Sequence, residues 1–182
     1  MLRGLVVAAL LALFWRHYTE LRQARLSARE TLIAIAVGAA VFVAWIGLDQ
    51  PWARFGEEGA GYSPLKAEGG IDWPRALARF AVLAAVVPVM EELFWRSFLM
   101  RWIDARDFLK MDARRASGMA LALTSGLFAL EHSLWVAGLM AGLAYAGLYK
   151  TTNNLRAPVL AHAVTNAILG LWILATGSWH LW

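Results

Sequence analysis

A small set of side chains in the second half of the chain is able to do acid–base chemistry, and each lies in an otherwise apolar stretch: Glu91, Glu92, Arg96, Glu131, His132, His162 and Asn166. Charged groups inside a membrane span cost about 2.5–3.5 kcal/mol each on insertion scales, so a chain that keeps them there uses them. Spacing sorts the set. Glu92 and Arg96 are four residues apart on one helix face, with the carboxylate on the N-terminal side, the better orientation for a neutralising pair. Glu91 points about 100° away around the helix and lacks that partner, which suits a carboxylate acting as a general base. Phe128 with His132, and His162 with Asn166, are also four apart, so each pair shares a face.

The elements that must position these groups are apolar helices. Of 182 residues, 60% are hydrophobic and 16% charged, with a mean hydropathy of +0.53, whereas soluble domains carry about 25% charged residues. The sequence therefore predicts an all-α, polytopic transmembrane bundle of about six spans. The apolar stretches are 5–15, 31–48, 76–102, 116–133, 134–149 and 157–176. The first is short. It is followed by the basic run Arg16, His17, Arg22, Arg25 and Arg29 rather than a small-residue cleavage site, so it reads as a short span and not as a signal peptide. Residues 49–74 form a loop rich in Gly, Pro and acids, including Glu57, Glu58 and Gly59. Pro88 should kink the third span a turn before Glu91.

Lys and Arg concentrate after the first span, in the connector 101–115 and in the turn 150–156. By the positive-inside rule these loops are cytoplasmic and both termini lie outside, in a multi-pass protein of a cell inner (cytoplasmic) membrane. At about 1.5 Å per residue, Glu91 lies roughly 15 Å from Arg101, His162 roughly 9 Å from Arg156 and His132 roughly 24 Å from Ala116. The three converge in the cytoplasmic half only if the fourth span enters nearer Ala120. The net charge of +4 belongs to these loops, and no basic–aromatic alternation points to nucleic acid. With no cysteine, thiolate metal sites, disulfides and a Cys nucleophile are excluded.

Glu91-Glu92-Leu93-Phe94-Trp95-Arg96, Phe128-Ala129-Leu130-Glu131-His132 and His162-Ala163-Val164-Thr165-Asn166 resemble, in order, the E-E-x-x-x-R, F-x-x-x-H and H-x-x-x-N motifs of the CPBP family, the Abi or type II CAAX prenyl protease group of glutamic intramembrane peptidases. The resemblance divides the chain into N-terminal spans and an extracytoplasmic loop (1–74) and a catalytic helical core (75–182). It implies that Glu91 and His132 activate a water, that His162 and Asn166 stabilise the oxyanion, and that Arg96 holds Glu92, with Phe128 supporting. It further implies hydrolysis near the C-terminus of a membrane-anchored, in some members prenylated, protein, without a cofactor. Six spans is fewer than in the eukaryotic CAAX enzymes, so their substrate does not carry over. The stretch Phe42 to Asp49 is also similar to a bacterial CAAX-protease-related subgroup that accompanies exosortase (PEP-CTERM) sorting.

Other readings compete. Glu91, His132 and His162 are a possible His₂Glu zinc set with a bound water, although the helical H-E-x-x-H pattern is missing. A proton-relaying transporter would show inverted repeats, and the sequence has none. A catalytically inactive scaffold, immunity or sorting partner would keep the fold and lose turnover. Each ionisable residue alone also suits a structural role: Glu92–Arg96 as a plain ion pair, either His as a bonded core residue, Glu131 as a rim group. Gly138-x-x-x-Gly142 reads as a close helix–helix approach rather than a dimer seam. The expected partners are lipids and a membrane-anchored peptide or protein, and the oligomeric state is open.

Overall fold

Leu-, Ala- and Val-rich stretches without period-2 alternation form helices, and polar residues at their starts fix where they begin. The computed structural model describes residues 2–22, 25–56 and 61–182. Glu57, Glu58 and Gly59, read above as loop, lie outside the described residues. Helix α1 (Leu2–Leu13) is short. Helix α2 (Ala28–Gly47) opens with a capping box, in which Ser27 Oγ accepts from the Glu30 N–H and Glu30 accepts from the Ser27 N–H at 2.8 Å. Such a cap contributes about 1 kcal/mol.

The third span is one uninterrupted rod in five segments: α3 (Trp73–Ala81), a π turn (Val82–Val86), α4 (Val87–Glu92), a second π turn (Leu93–Leu99) and α5 (Met100–Asp104). It exceeds the expected 76–102 at both ends. Its first π turn precedes Pro88, which has no N–H to continue the ladder, so the helix widens there. Then follow α6 (Gly118–Leu130), α7 (Trp135–Thr152) and α8 (Arg156–Thr176). Asn153, at φ 50°, and Gly177, at φ 72°, end α7 and α8 in the left-handed conformation that suits a helix C-terminus.

The fourth span departs from expectation. Helix α6 has 13 residues, so at about 1.5 Å per residue it is roughly 20 Å long. Glu131 and His132 therefore stand beyond its end, in the turn 131–134, rather than inside a span. Their amides reach back to Phe128 and Ala129 carbonyls at 3.3 and 3.1 Å, which tightens the last turn and stops the helix.

Small residues bring the helices together, as packing among lipids requires. A Cβ on Gly38 of α2 would stand 2.4 Å from the Ala161 carbonyl of α8, and Thr165 Oγ1 donates to the Gly38 carbonyl at 2.8 Å. A Cβ on Gly142 would meet Ser125 at 3.0 Å, so Gly138-x-x-x-Gly142 joins α7 to α6 within the chain. The outside is apolar: Leu32, Val43, Leu123, Leu130, Leu143 and Leu171 are all exposed. Helices α2 and α8 are long and apolar enough to cross a membrane. At the basic end, Glu20 accepts from Arg101 at 2.7 Å, from the Ser97 hydroxyl and from Tyr149 at 2.5 Å, tying the α1–α2 connector to the bundle.

Gly38→Ala should force α2 off α8, costing about 1–3 kcal/mol as overpacking does, whereas Gly147→Ala meets nothing within 4 Å and should be neutral or slightly stabilising. Thermal melting of both variants in detergent checks the contrast.

Candidate active site

The site is assembled around Glu92. This carboxylate is 0% exposed and its partner Arg96 is 1% exposed. Arg96 Nε lies 3.1 Å from Glu92 Oε2, a charge contact whose angle falls short of a hydrogen bond. Arg96 also donates to the Gly142 carbonyl at 3.2 Å, and its guanidinium lies 4.6 Å from the centre of the Phe128 ring. On its other oxygen Glu92 accepts from His162 Nδ1 at 2.9 Å. Two groups, Arg96 four residues on and His162 seventy residues on, thus share one buried carboxylate, and the pairing expected between Glu92 and Arg96 includes His162.

Glu91 has no such tie. Its Oε2 is buried without a hydrogen-bond partner among the described residues and stands 3.9 Å from His162 Nε2. His162 therefore faces a carboxylate with each ring nitrogen. Tyr145 stacks on its ring at 4.9 Å and 18°, and the Tyr145 hydroxyl donates to Thr165 at 2.7 Å.

His132 Nδ1 lies 2.7 Å from the Phe128 carbonyl. A carbonyl only accepts, so Nδ1 carries the proton and, in the neutral ring, Nε2 keeps the lone pair. The Phe128 and Trp45 rings, at 4.6 and 5.4 Å, hold the imidazole in place. Asn166 Nδ2 donates to the Leu83 carbonyl at 2.9 Å. In a π turn that carbonyl would be served by the amide of residue 88, which is proline. One of the two amide hydrogens of Asn166 is committed there and the other is left over.

Glu91, His132, His162 and Asn166 line one cavity of about 190 Å³, walled by Phe128, Tyr145 and Trp45. A second cavity of about 400 Å³, lined by Arg54, Glu131 and His180, shares His132, Trp45, Arg79, Leu181 and Trp182 with the first. The sequence places the site in the cytoplasmic half of the membrane, with Glu91 roughly 15 Å from Arg101. Arg79 lies near the start of the third span and Trp182 follows α8, so the cavity runs from mid-bundle toward the end opposite the connectors 101–115 and 150–156. His132 stands toward that end because α6 starts at Gly118, beside the basic connector, and runs roughly 20 Å before the turn that carries it. Among the described residues no three His, Asp or Glu side chains come together as a metal-binding group.

A family model described as "Type II CAAX prenyl endopeptidase Rce1-like" matches residues 73–168, a stretch that holds all three motifs. The chain belongs to this family. No curated protein and no solved structure matches it. The family is one of membrane-embedded CAAX-type endopeptidases, which agrees with the apolar exterior. Sequence reasoning passed over three neighbours of the site. Tyr145 follows Gly142 by three residues on α7, and Thr165 follows His162 by three on α8, so helical spacing was available as a signal. Trp45 lies outside the matched stretch, within the Phe42 to Asp49 resemblance, which marked the segment but gave the ring no role.

Removing one partner of a buried charge pair leaves the other uncompensated. Glu92→Gln should therefore lose about 3–5 kcal/mol, while Glu91→Gln, which breaks no hydrogen bond, should stay within about 1 kcal/mol of wild type. Parallel thermal melts of the two variants decide between a structural Glu92 and an interchangeable carboxylate pair.

Proposed function

We propose that the chain is a metal-independent intramembrane endopeptidase in which Glu91 and His132 activate a water against a peptide carbonyl of a membrane-anchored substrate. The observation that carries this reading is the single cavity lined by Glu91, His132, His162 and Asn166. Glu91 is the carboxylate in its lining and has no hydrogen bond among the described residues, so it is free to take the water's proton. The lone pair on His132 Nε2 accepts the water's second hydrogen and aims its oxygen.

Attack breaks the carbonyl π bond and leaves an oxyanion. The spare amide hydrogen of Asn166 and the ring of His162, which faces the cavity beside Glu91, form the site that stabilises it. Glu91 then returns its proton to the leaving amine as the C–N bond breaks, and the products are a carboxylate and a new amino terminus. Glu92 and Arg96 keep His162 oriented and take no part in bond-making.

The test is cleavage in proteoliposomes of membrane-anchored peptides, prenylated and plain, with new termini read by mass spectrometry. Wild type should cleave, with chelator making no difference. Glu91→Gln should fall below detection with an unchanged melt, and Asn166→Ala should lose about 10²–10³-fold in kcat. Cleavage that survives Glu91→Gln, or that chelator abolishes, would contradict the mechanism.

A further inference from the structure

The arginines enclosed by the bundle have anionic or carbonyl partners, with one exception. Arg96 meets Glu92, Arg101 meets Glu20, Arg54 meets Asp49, and Arg156 donates to the Leu21 carbonyl. Arg79 has no carboxylate or carbonyl acceptor among the described residues. Its Nε is buried without a hydrogen-bond partner, and its guanidinium is held only by aromatic faces, at 4.4 Å from Tyr62 and 5.8 Å from Trp182. Aromatic faces fix a guanidinium in place but leave its N–H donors unused.

Position gives those donors a use. Arg79 lines both the catalytic cavity and the adjoining one, on the wall shared with His132. It lies on the same rod as Glu91, 12 residues earlier in sequence, or about 18 Å along the axis. A peptide needs at least five or six residues, extended at about 3.3 Å each, to cover that separation. An anion bound at Arg79 thus belongs to a short peptide tail whose backbone crosses the catalytic groups. A guanidinium is the side chain best matched to a carboxylate, through paired N–H bonds. Arg79 faces the cavities that hold Glu91 and His132, which favours a peptide over a lipid headgroup.

We propose that Arg79 binds the free C-terminal carboxylate of the substrate and so sets how far from that terminus the chain is cut. The assignment rests on the hydrolytic reading of the cavity, and binding tests it separately from turnover. Full-length protein in phosphatidylcholine nanodiscs is titrated with an N-palmitoylated hexapeptide of Ala and Leu, made either as the free acid or as the C-terminal amide.

Wild type should bind the acid about tenfold more tightly than the amide, in line with one charge-assisted contact. Arg79→Met should bind the two alike, and Arg79→Lys should keep part of the preference, which separates lost recognition from lost fold. Equal binding of acid and amide by wild type, binding of neither, or a preference that survives Arg79→Met would overturn the assignment. So would loss of acid binding in wild type when a third of the lipid is phosphatidylglycerol, which would give Arg79 to lipid headgroups. If wild type prefers the acid but cleaves neither peptide, Arg79's role stands and the hydrolytic reading falls. Cleavage of both forms at equal rates does the reverse.

Discussion

Glu92 is a carboxylate wholly enclosed in an apolar bundle, and the arrangement of the site follows from how it is neutralised. A lone charge in that setting is prohibitive, and even a single ion pair seldom recovers its desolvation cost. Here the carboxylate is shared by Arg96 from its own helix and His162 from α8. Arg96 in turn anchors to α7 through the Gly142 carbonyl and lies over Phe128 of α6. One buried anion thereby references three other helix positions to the third span, including the helix that carries Phe128 and leads into His132. It also absorbs the available cation, which leaves Glu91 as the carboxylate with a free oxygen beside the cavity.

The backbone cooperates through defects. Pro88 removes a donor a turn before Glu91, the helix widens into π turns on either side of the Glu91–Glu92 step, and a carbonyl is released. Asn166 answers that carbonyl, so the broken ladder fixes a side chain from another helix. The early end of α6 is a second defect of this kind. It turns His132 out of a span and into a capping turn, where the Phe128 carbonyl selects its tautomer. Glycine at 138 and 142 lets α7 pack close against α6 and His132, and glycine at 38 lets α2 approach α8.

Much of this was legible in the residues. Apolar runs separated by basic connectors gave the helical bundle, and four-residue spacing placed Glu92 with Arg96, Phe128 with His132 and His162 with Asn166. What spacing along one helix cannot give is contact between helices. It assigned Arg96 as the partner of Glu92 but had no means of adding His162, 70 residues on. Hydropathy alone carried the fourth span through Ser133, because Leu134 and its neighbours are as apolar as a continuing helix, and only the backbone geometry shows the stop at Leu130. That difference of a few residues moves Glu131 and His132 out of a span and into the turn 131–134. Neither Trp45 nor Arg79 could be given a role from sequence, because an aromatic and a cation near span ends look like ordinary interface residues.

The central claim is that water held by Glu91 attacks the substrate directly, with Glu92 kept out of the chemistry by its two partners. Single-turnover cleavage in oxygen-18 water tests it most directly, with label sought by mass spectrometry both in the new product carboxylate and in the enzyme peptide that spans Glu91 and Glu92. The account predicts one heavy oxygen in the product and none in either glutamate. Label in a glutamate side chain would mean a covalent acyl intermediate on that residue, and would contradict direct attack by water.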